Sequence, residues 1–316
     1  MGDTAVIFPG QGAQSVGMGR DVAARYKRAR AIYDRANEVV GFDLAAVCFG
    51  GPAEKLERTD VQQPAIFVTS AAIWEAFLES GGSLNDFSRT GGLSLGEYTA
   101  LYVAGALSFD DALRLVQRRG ELMQEAALAV KGGMVSLVGA DEETAVTLCD
   151  RARGEDVLAP ANFNCPGQIV IAGSQAACER AVVLAEELHC RAIPLAVAGA
   201  FHTPLMQSAA DQLDGVLAAT NFTEPRIPVA RNVDAGYHGN ADEMRLSLKR
   251  QVTQPVLWQR CVERMVADGV ERFVEIGPGR VLTGLMRKIN RKLSTRNVST
   301  VESVESALVG LGADRS

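Results

Sequence analysis

The chain has 316 residues, 47% hydrophobic and 22% charged, enough apolar material for one large core or for a large and a small domain sharing one. Its formal net charge of −6 argues against a nucleic-acid binder, which would present a basic surface. Apolar stretches such as 65–77 are short and broken by Thr69, Ser70 and Glu75, so no membrane span is expected.

Residues 4–8, Thr-Ala-Val-Ile-Phe, run into Pro9-Gly10-Gln11-Gly12, the pattern of a buried strand entering a tight loop. The preceding Met1-Gly2-Asp3-Thr4 lacks the basic-then-apolar order of a secretion signal, and Val6 stands where a myristoylation motif needs Ser or Thr. The expected location is cytoplasmic. Helical periodicity fills 20–39 and 62–79 and returns over 96–127, with a break near 105–108. Ser108 and Asp111 read as a capping box for a helix with Leu113, Val116, Gly120 and Met123 on one face.

From residue 130 the rhythm changes. Strand patterns at 134–138, 157–163, 168–172 and 191–197 are interleaved with helical patterns at 141–153 and 174–187. The order β-α-β-β-α-β is that of a ferredoxin-like module, read as a subdomain over 129–198 inserted into a larger domain of 1–128 and 199–316. The remainder reads as a helix at 204–219, a strand near 227–233, helices at 241–252 and 255–268, and a strand at 271–276. Gly277-Pro278-Gly279 then opens a last helix, with Arg287, Lys288, Arg291, Lys292 and Arg296 within 286–297. Alternating helices and strands make the larger part α/β with a mainly parallel sheet.

The six cysteines form no C-x-x-C pair and lack zinc-knuckle spacing, so they are read as small core residues, with no metal site. Only three histidines are present: His189, His202 and His238. His189, beside Glu186 and Glu187 late in a helical pattern, reads as a solvated or capping residue. His238, in Gly236-Tyr237-His238-Gly239, reads as a surface turn.

Gly92-Leu93-Ser94-Leu95-Gly96 has the G-x-S-x-G form that exposes a serine hydroxyl on a sharp strand-to-helix turn. The helical run from Glu97 supplies the required context. The preceding strand is weaker, because 86–90 contains Ser88 and Arg89. A serine needs a base to act as a nucleophile at neutral pH. His202, following the apolar strand 193–197 and Ala198-Gly199-Ala200, is the candidate, since strand ends are where α/β enzymes place catalytic groups. On a helical wheel Arg119 flanks the apolar stripe, with Arg114 and Arg118 on the far side. A guanidinium turned toward a core requires an anionic partner, either a structural carboxylate or a substrate one.

Together these segments resemble malonyl-CoA:acyl carrier protein transacylases. The resemblance is carried, in order, by Phe8-Pro9-Gly10-Gln11-Gly12-Ala13-Gln14, Gly92-Leu93-Ser94-Leu95-Gly96-Glu97-Tyr98, Arg119-Gly120-Glu121-Leu122-Met123-Gln124, Asn162-Phe163-Asn164 before Pro166-Gly167-Gln168, Ala200-Phe201-His202 and Glu275-Ile276-Gly277-Pro278-Gly279. It implies a hydrolase-like α/β domain with a ferredoxin-like subdomain, and malonyl transfer from malonyl-CoA to acyl carrier protein in fatty acid synthesis. It implies Ser94 as nucleophile and His202 as base. Gln11 and the backbone N–H of Leu95 are then the oxyanion hole, and the backbone carbonyl of Gln251 orients the histidine. Arg119, with Met123, Asn162 and Phe201, meets the substrate, and Ala200-Phe201-His202 has the malonyl-selective form. No cofactor is implied beyond CoA as acyl carrier, and a monomer is expected. Leu93 departs from the family, which commonly has histidine there. A serine hydrolase shares the elbow and base but leaves the arginine unexplained; a trans-acting polyketide acyltransferase differs only in its carrier. A non-catalytic docking protein gives no reason for Ser94, His202 and Arg119 to coexist.

Overall fold

The computed structural model describes residues 3–312; Met1 and Gly2, part of the leader and lipidation reading, lie outside them. The main sheet contains β1 (Asp3–Phe8), β2 (Arg89–Gly92), β7 (Val270–Ile276) and β8 (Ser294–Val298), all parallel in the order β2-β1-β7-β8. Ala5 to Phe8 are all buried, the continuous apolar run of a strand covered on both faces. The N-terminal part packs α5 (Thr59–Glu79) against the sheet, and α1 (Arg20–Arg25), α2 (Lys27–Val40), α3 (Leu44–Gly50) and α4 (Ala53–Leu56) against α5. α5 is buried on nearly every side, which is why its sequence carries little amphipathic contrast. α6 (Leu95–Val103) and α7 (Phe109–Ala129) follow β2. Ser108 caps α7 by accepting from the Asp111 N–H. The Asp111 carboxylate accepts the Ser108 hydroxyl rather than the backbone N–H that would complete a capping box.

The second sheet is antiparallel, in the order β4-β5-β3-β6, from β3 (Gly132–Val138), β4 (Leu158–Cys165), β5 (Gln168–Ser174) and β6 (Arg191–Pro194). α8 (Glu142–Arg153) and α9 (Gln175–Leu184) cover one face. Val135, Leu137, Ile169 and Ile171 enter a core shared with those helices, whereas Met134, Val170 and Ala172 join the main core. The period-two alternation thus buries the sheet on both sides and fixes its register. This is the ferredoxin-like order expected from the sequence. β4 is tied to the larger domain by Phe163 N–H to Val256 O and Val256 N–H to Ala161 O, both 2.9 Å, with Val256 in a connecting segment outside either sheet.

The rest comprises α10 (Gln207–Ala219), α11 (Ala241–Thr253), α12 (Trp258–Ala267), α13 (Val281–Ile289) and α14 (Val301–Gly312). Two expectations are corrected. The strand near 227–233 is only a pair of bridges, Thr90 to Val229 and Ala230 to Tyr237; Pro228, without an N–H, cannot extend the ladder. The last helix does not run through 297: α13 ends at Ile289, β8 follows beside β7, and α14 closes the described chain. β8 buries only Val298 fully, so no apolar alternation marks it. The basic residues therefore divide among the end of α13, the turn after it and β8. α3 and α4, absent from the sequence reading, fill the connection before α5.

Candidate active site

The elbow is built by close backbone packing. A Cβ on Gly92 would lie 2.1 Å from the Gly96 carbonyl carbon, and one on Gly96 would lie 2.1 Å from the Phe8 oxygen. Only glycines let α6 descend onto β1 and β2 here. Ser94, between them, adopts φ 52° and ψ −103°, a conformation that a non-glycine residue keeps only when its surroundings hold it. Asn232 supplies part of that hold: its Oδ1 accepts from Ser94 N–H at 2.6 Å and its Nδ2 donates to the Gly92 carbonyl at 2.9 Å. Gln251 Nε2 donates to the Ser94 carbonyl at 3.0 Å.

His202 Nε2 lies 2.8 Å from Ser94 Oγ, and its Nδ1 lies 2.7 Å from the main-chain oxygen of Gln251. A carbonyl only accepts, so Nδ1 carries the proton and Nε2 is left to accept from the serine. Burial first, and the Arg119 charge second, push the His202 pKa down from 6.5 to about 3, against the opposing pull of the Gln251 carbonyl. The imidazole is therefore neutral at rest, as a general base must be.

Arg119 is fully buried on α7. Nη1 donates to Gln63 Oε1 at 2.6 Å; Nη2 donates to Gln251 Oε1 at 2.9 Å and to Ser94 Oγ at 3.1 Å. The guanidinium carbon sits 5.1 Å from the Tyr98 ring centroid, within cation–π range. All these acceptors are neutral, and Nε is buried without a hydrogen-bond partner among the described residues. Arg114 and Arg118, on the opposite face, pair instead with Asp110, Asp111, Glu121 and Glu125 at the surface. Burial lowers the Arg119 pKa, yet a guanidinium stays charged in proteins. A buried cation thus points at the serine hydroxyl, and no carboxylate among the described residues contacts it.

A cavity of about 160 Å³ opens over the serine, with Gln11, Leu93, Ser94, Asn162, Phe201 and His202 in its wall. Leu95 presents its N–H from the first position of α6, where helical N–H groups have no intrahelical acceptor. Met123 is not part of the wall; it packs beneath Gln63, whose Nε2 lies 3.5 Å from its Sδ. α13 supplies Val281 and Leu285, and the buried Glu275 carboxylate caps that helix through Leu282 N–H and Thr283 N–H at 2.9 and 2.8 Å.

His238 corrects the surface-turn reading. It is buried, its Nε2 2.7 Å from Glu97 Oε1. His189 is exposed, just past α9, with φ 54°. Gln63, Glu97 and Asn232 were not singled out as functional residues by sequence reasoning. Glu97 could have been, since it directly follows the serine motif. All six cysteines are free and buried. Among the described residues, no His, Cys, Asp and Glu cluster could hold a metal ion and no helix is long and apolar enough to cross a membrane.

The fold and this geometry place a serine hydroxyl beside a neutral imidazole and a buried guanidinium on an α/β scaffold, an arrangement whose chemistry suits acyl transfer. Residues 5–310 match the acyl transferase domain family. The malonyl CoA-acyl carrier protein transacylase of Bacillus subtilis (strain 168) is 43% identical over 310 residues, covering 98% of this chain and 97% of its own. An acyl carrier protein S-malonyltransferase from Vibrio cholerae O1 biovar eltor superposes with a TM-score of 0.93 at 42% identity, covering 96% of this chain and 99% of its own. A malonyl-transacylase solved in complex with a type II PKS acyl-carrier protein superposes with a TM-score of 0.94 at 41% identity, covering 98% and 99%. This chain belongs to the malonyl CoA-acyl carrier protein transacylase family.

Proposed function

We propose that the chain transfers the malonyl group of malonyl-CoA to the phosphopantetheine thiol of an acyl carrier protein, supplying fatty acid synthesis, through an ester on Ser94. The observation that carries this reading is Arg119: a fully buried cation, bonded only to neutral acceptors, 3.1 Å from the serine hydroxyl. A buried cation with no carboxylate in contact is costly, and an acyl group with its own carboxylate supplies an anion that can bond it directly. A hydrolase for uncharged acyl groups has no use for it.

Ser94 Oγ attacks the thioester carbonyl while His202 Nε2 takes its proton. The tetrahedral oxyanion is met by donors at Gln11 and the Leu95 N–H, at the positive end of α6. Collapse breaks the carbon–sulfur bond, and His202 returns the proton to the departing CoA sulfur. The carrier thiol then attacks the ester, giving its proton through His202 to Ser94 Oγ. Every bond and proton is accounted for by these groups, so we assign no cofactor. Asn162 and Phe201 shape the wall of the acyl cavity; Met123 acts only by backing Gln63.

The carrier approaches over α13. That helix walls the cavity and ends on exposed Arg287 and Lys288, and Lys288 Nζ donates to Gln168 Oε1, also in the cavity wall, at 3.2 Å. Positive charge at the rim suits an acidic partner and raises its association rate. We assign the working form as a cytoplasmic monomer. A polyketide carrier is the second reading, favoured by the relative solved with such a partner.

The test is intact-mass analysis after mixing with malonyl-CoA, followed by a chase with carrier thiol. The expected result is a malonyl adduct on Ser94 that moves to the carrier and persists without it. Transfer at the wild-type rate by Ser94→Ala, or loss of the adduct to water at the same rate with and without carrier, sinks the reading.

A further inference from the structure

Behind the serine–histidine pair lies a buried polar cluster that takes no part in the steps above. Glu97, in the first turn of α6, is 1% exposed. Its Oε2 accepts from Gln251 Nε2 at 2.6 Å and from Asn232 N–H at 3.2 Å, while Oε1 faces His238 Nε2. His238 Nδ1 in turn lies 3.3 Å from Ser247 Oγ. An acid at a helix N-terminus is ordinary on a surface. Sealed in the core, it carries a desolvation penalty that its contacts must offset.

Those contacts converge on Gln251, which serves the site in two separate ways. Its main-chain oxygen orients His202. Its side chain joins Arg119 to Glu97, with Oε1 accepting from Arg119 Nη2 and Nε2 donating to Glu97 Oε2. A carboxamide can be turned over, exchanging its oxygen and nitrogen. Arg119 only donates, whereas the Ser94 carbonyl and the Glu97 carboxylate, both bonded to Nε2, only accept, so the three together permit one orientation, with Glu97 the closer acceptor at 2.6 Å against 3.0 Å. The amide dipole then lies between a buried anion and a buried cation, and the Glu97 charge favours the charged guanidinium. Arg119 is thereby held toward Ser94 Oγ by a chain of contacts distinct from the one that holds the base.

We propose that Glu97, backed by His238, is a positioning residue for acyl-group selectivity: through the Gln251 carboxamide it fixes the aim of Arg119 at the carboxylate of the acyl group. This role rests on the malonyl reading above. Because the base is held by a main-chain atom, losing the Glu97 charge bears on Arg119 more than on His202.

The test is the ratio of Ser94 acylation by malonyl-CoA to that by acetyl-CoA. Glu97→Gln keeps the shape and removes the charge. The malonyl preference should fall by roughly an order of magnitude, the coupling typical of one hydrogen-bonded network, with the malonyl loss mainly in KM. Gln251→Met, which keeps the carbonyl that orients His202, should produce a fall of the same kind. Adding Glu97→Gln to it should lower the preference little further. An unchanged preference in Glu97→Gln, or a double variant whose loss is the product of the two single losses, overturns the relay. If Glu97→Gln does not fold, His238→Gln replaces it in the same comparison. Failure of the wild-type protein to form a malonyl ester would instead remove the functional reading itself. A preference lost in Arg119→Ala but kept in Glu97→Gln leaves that reading standing and removes only this role.

Discussion

Arg119→Ala separates the proposed activity most sharply from a generic serine esterase. The guanidinium contacts Gln63, Gln251 and the Ser94 hydroxyl, and the proposed acyl carboxylate is the charged group that would bond it directly. Losing one side of a buried, hydrogen-bonded charge pair costs on the order of 2–5 kcal/mol. At about 1.4 kcal/mol per decade, malonyl loading of Ser94 should fall by roughly 30- to 4,000-fold in kcat/KM. Acetyl loading, which makes no such pair, should be retained or rise. The substitution also strips the donor from the Gln63 and Gln251 carbonyls, a stability cost of about 1–3 kcal/mol each. Part of that is offset by removing a cation that has no carboxylate contact. Arg119→Lys keeps the charge but not the planar fork, so its malonyl loss should be smaller than that of alanine. Rapid-quench measurement of the ester with each acyl-CoA, beside a denaturation curve, reads both effects. An Arg119→Ala protein that stays folded and keeps its preference for malonyl over acetyl refutes the reasoning.

The neutral His202 gives the pH behaviour a definite sign. Its pKa drops from 6.5 to about 3 on folding, so between those values the unfolded chain binds the extra proton and stability falls as the pH is lowered. Wild-type melting temperature should decline through this window more steeply than that of His202→Ala, and parallel curves would contradict the burial argument. The acid limb of Ser94 acylation should likewise lie well below pH 6.5. Asn232→Ala deprives both Ser94 N–H and the Gly92 carbonyl of their partner; a destabilisation of about 1–3 kcal/mol with slower ester formation is expected, and wild-type acylation would show that the elbow holds itself. Reversing Arg287, Lys288 and Arg291 to Glu should raise the KM for the carrier and reduce the salt dependence, with malonyl loading nearly unchanged. Carrier kinetics indifferent to charge and salt would move docking away from α13.

The parts legible in the sequence were those whose signal is local. Glycines around Ser94, a strand-end position for His202 and the wheel position of Arg119 each follow from a few neighbouring residues. The antiparallel sheet was legible because its central strands, β3 and β5, alternate between two cores. What escaped depends on distant chain. Glu97 looks like any acid opening a helix until Gln251 and His238, more than 140 residues away in sequence, close over it. His238 sits among glycines that mimic a surface turn, yet it is buried by α6 and α11. Gln63 and Met123 lie on neighbouring helices, and which of them meets Arg119 was not encoded in either pattern. β8 is polar along most of its length because it is an edge strand, and its ladder comes from β7 rather than from its side chains.

The atom that aligns His202 belongs to the peptide backbone at Gln251. Every residue type carries the same carbonyl, so no single codon change can delete the orienting group, whereas a side-chain carboxylate in that role could be lost by one nucleotide. The carbonyl also has no protonation state at any working pH, and acidification cannot switch it off. The vulnerable feature is the path of the last turn of α11, and selection on the side chain at that position is left free to serve the arginine.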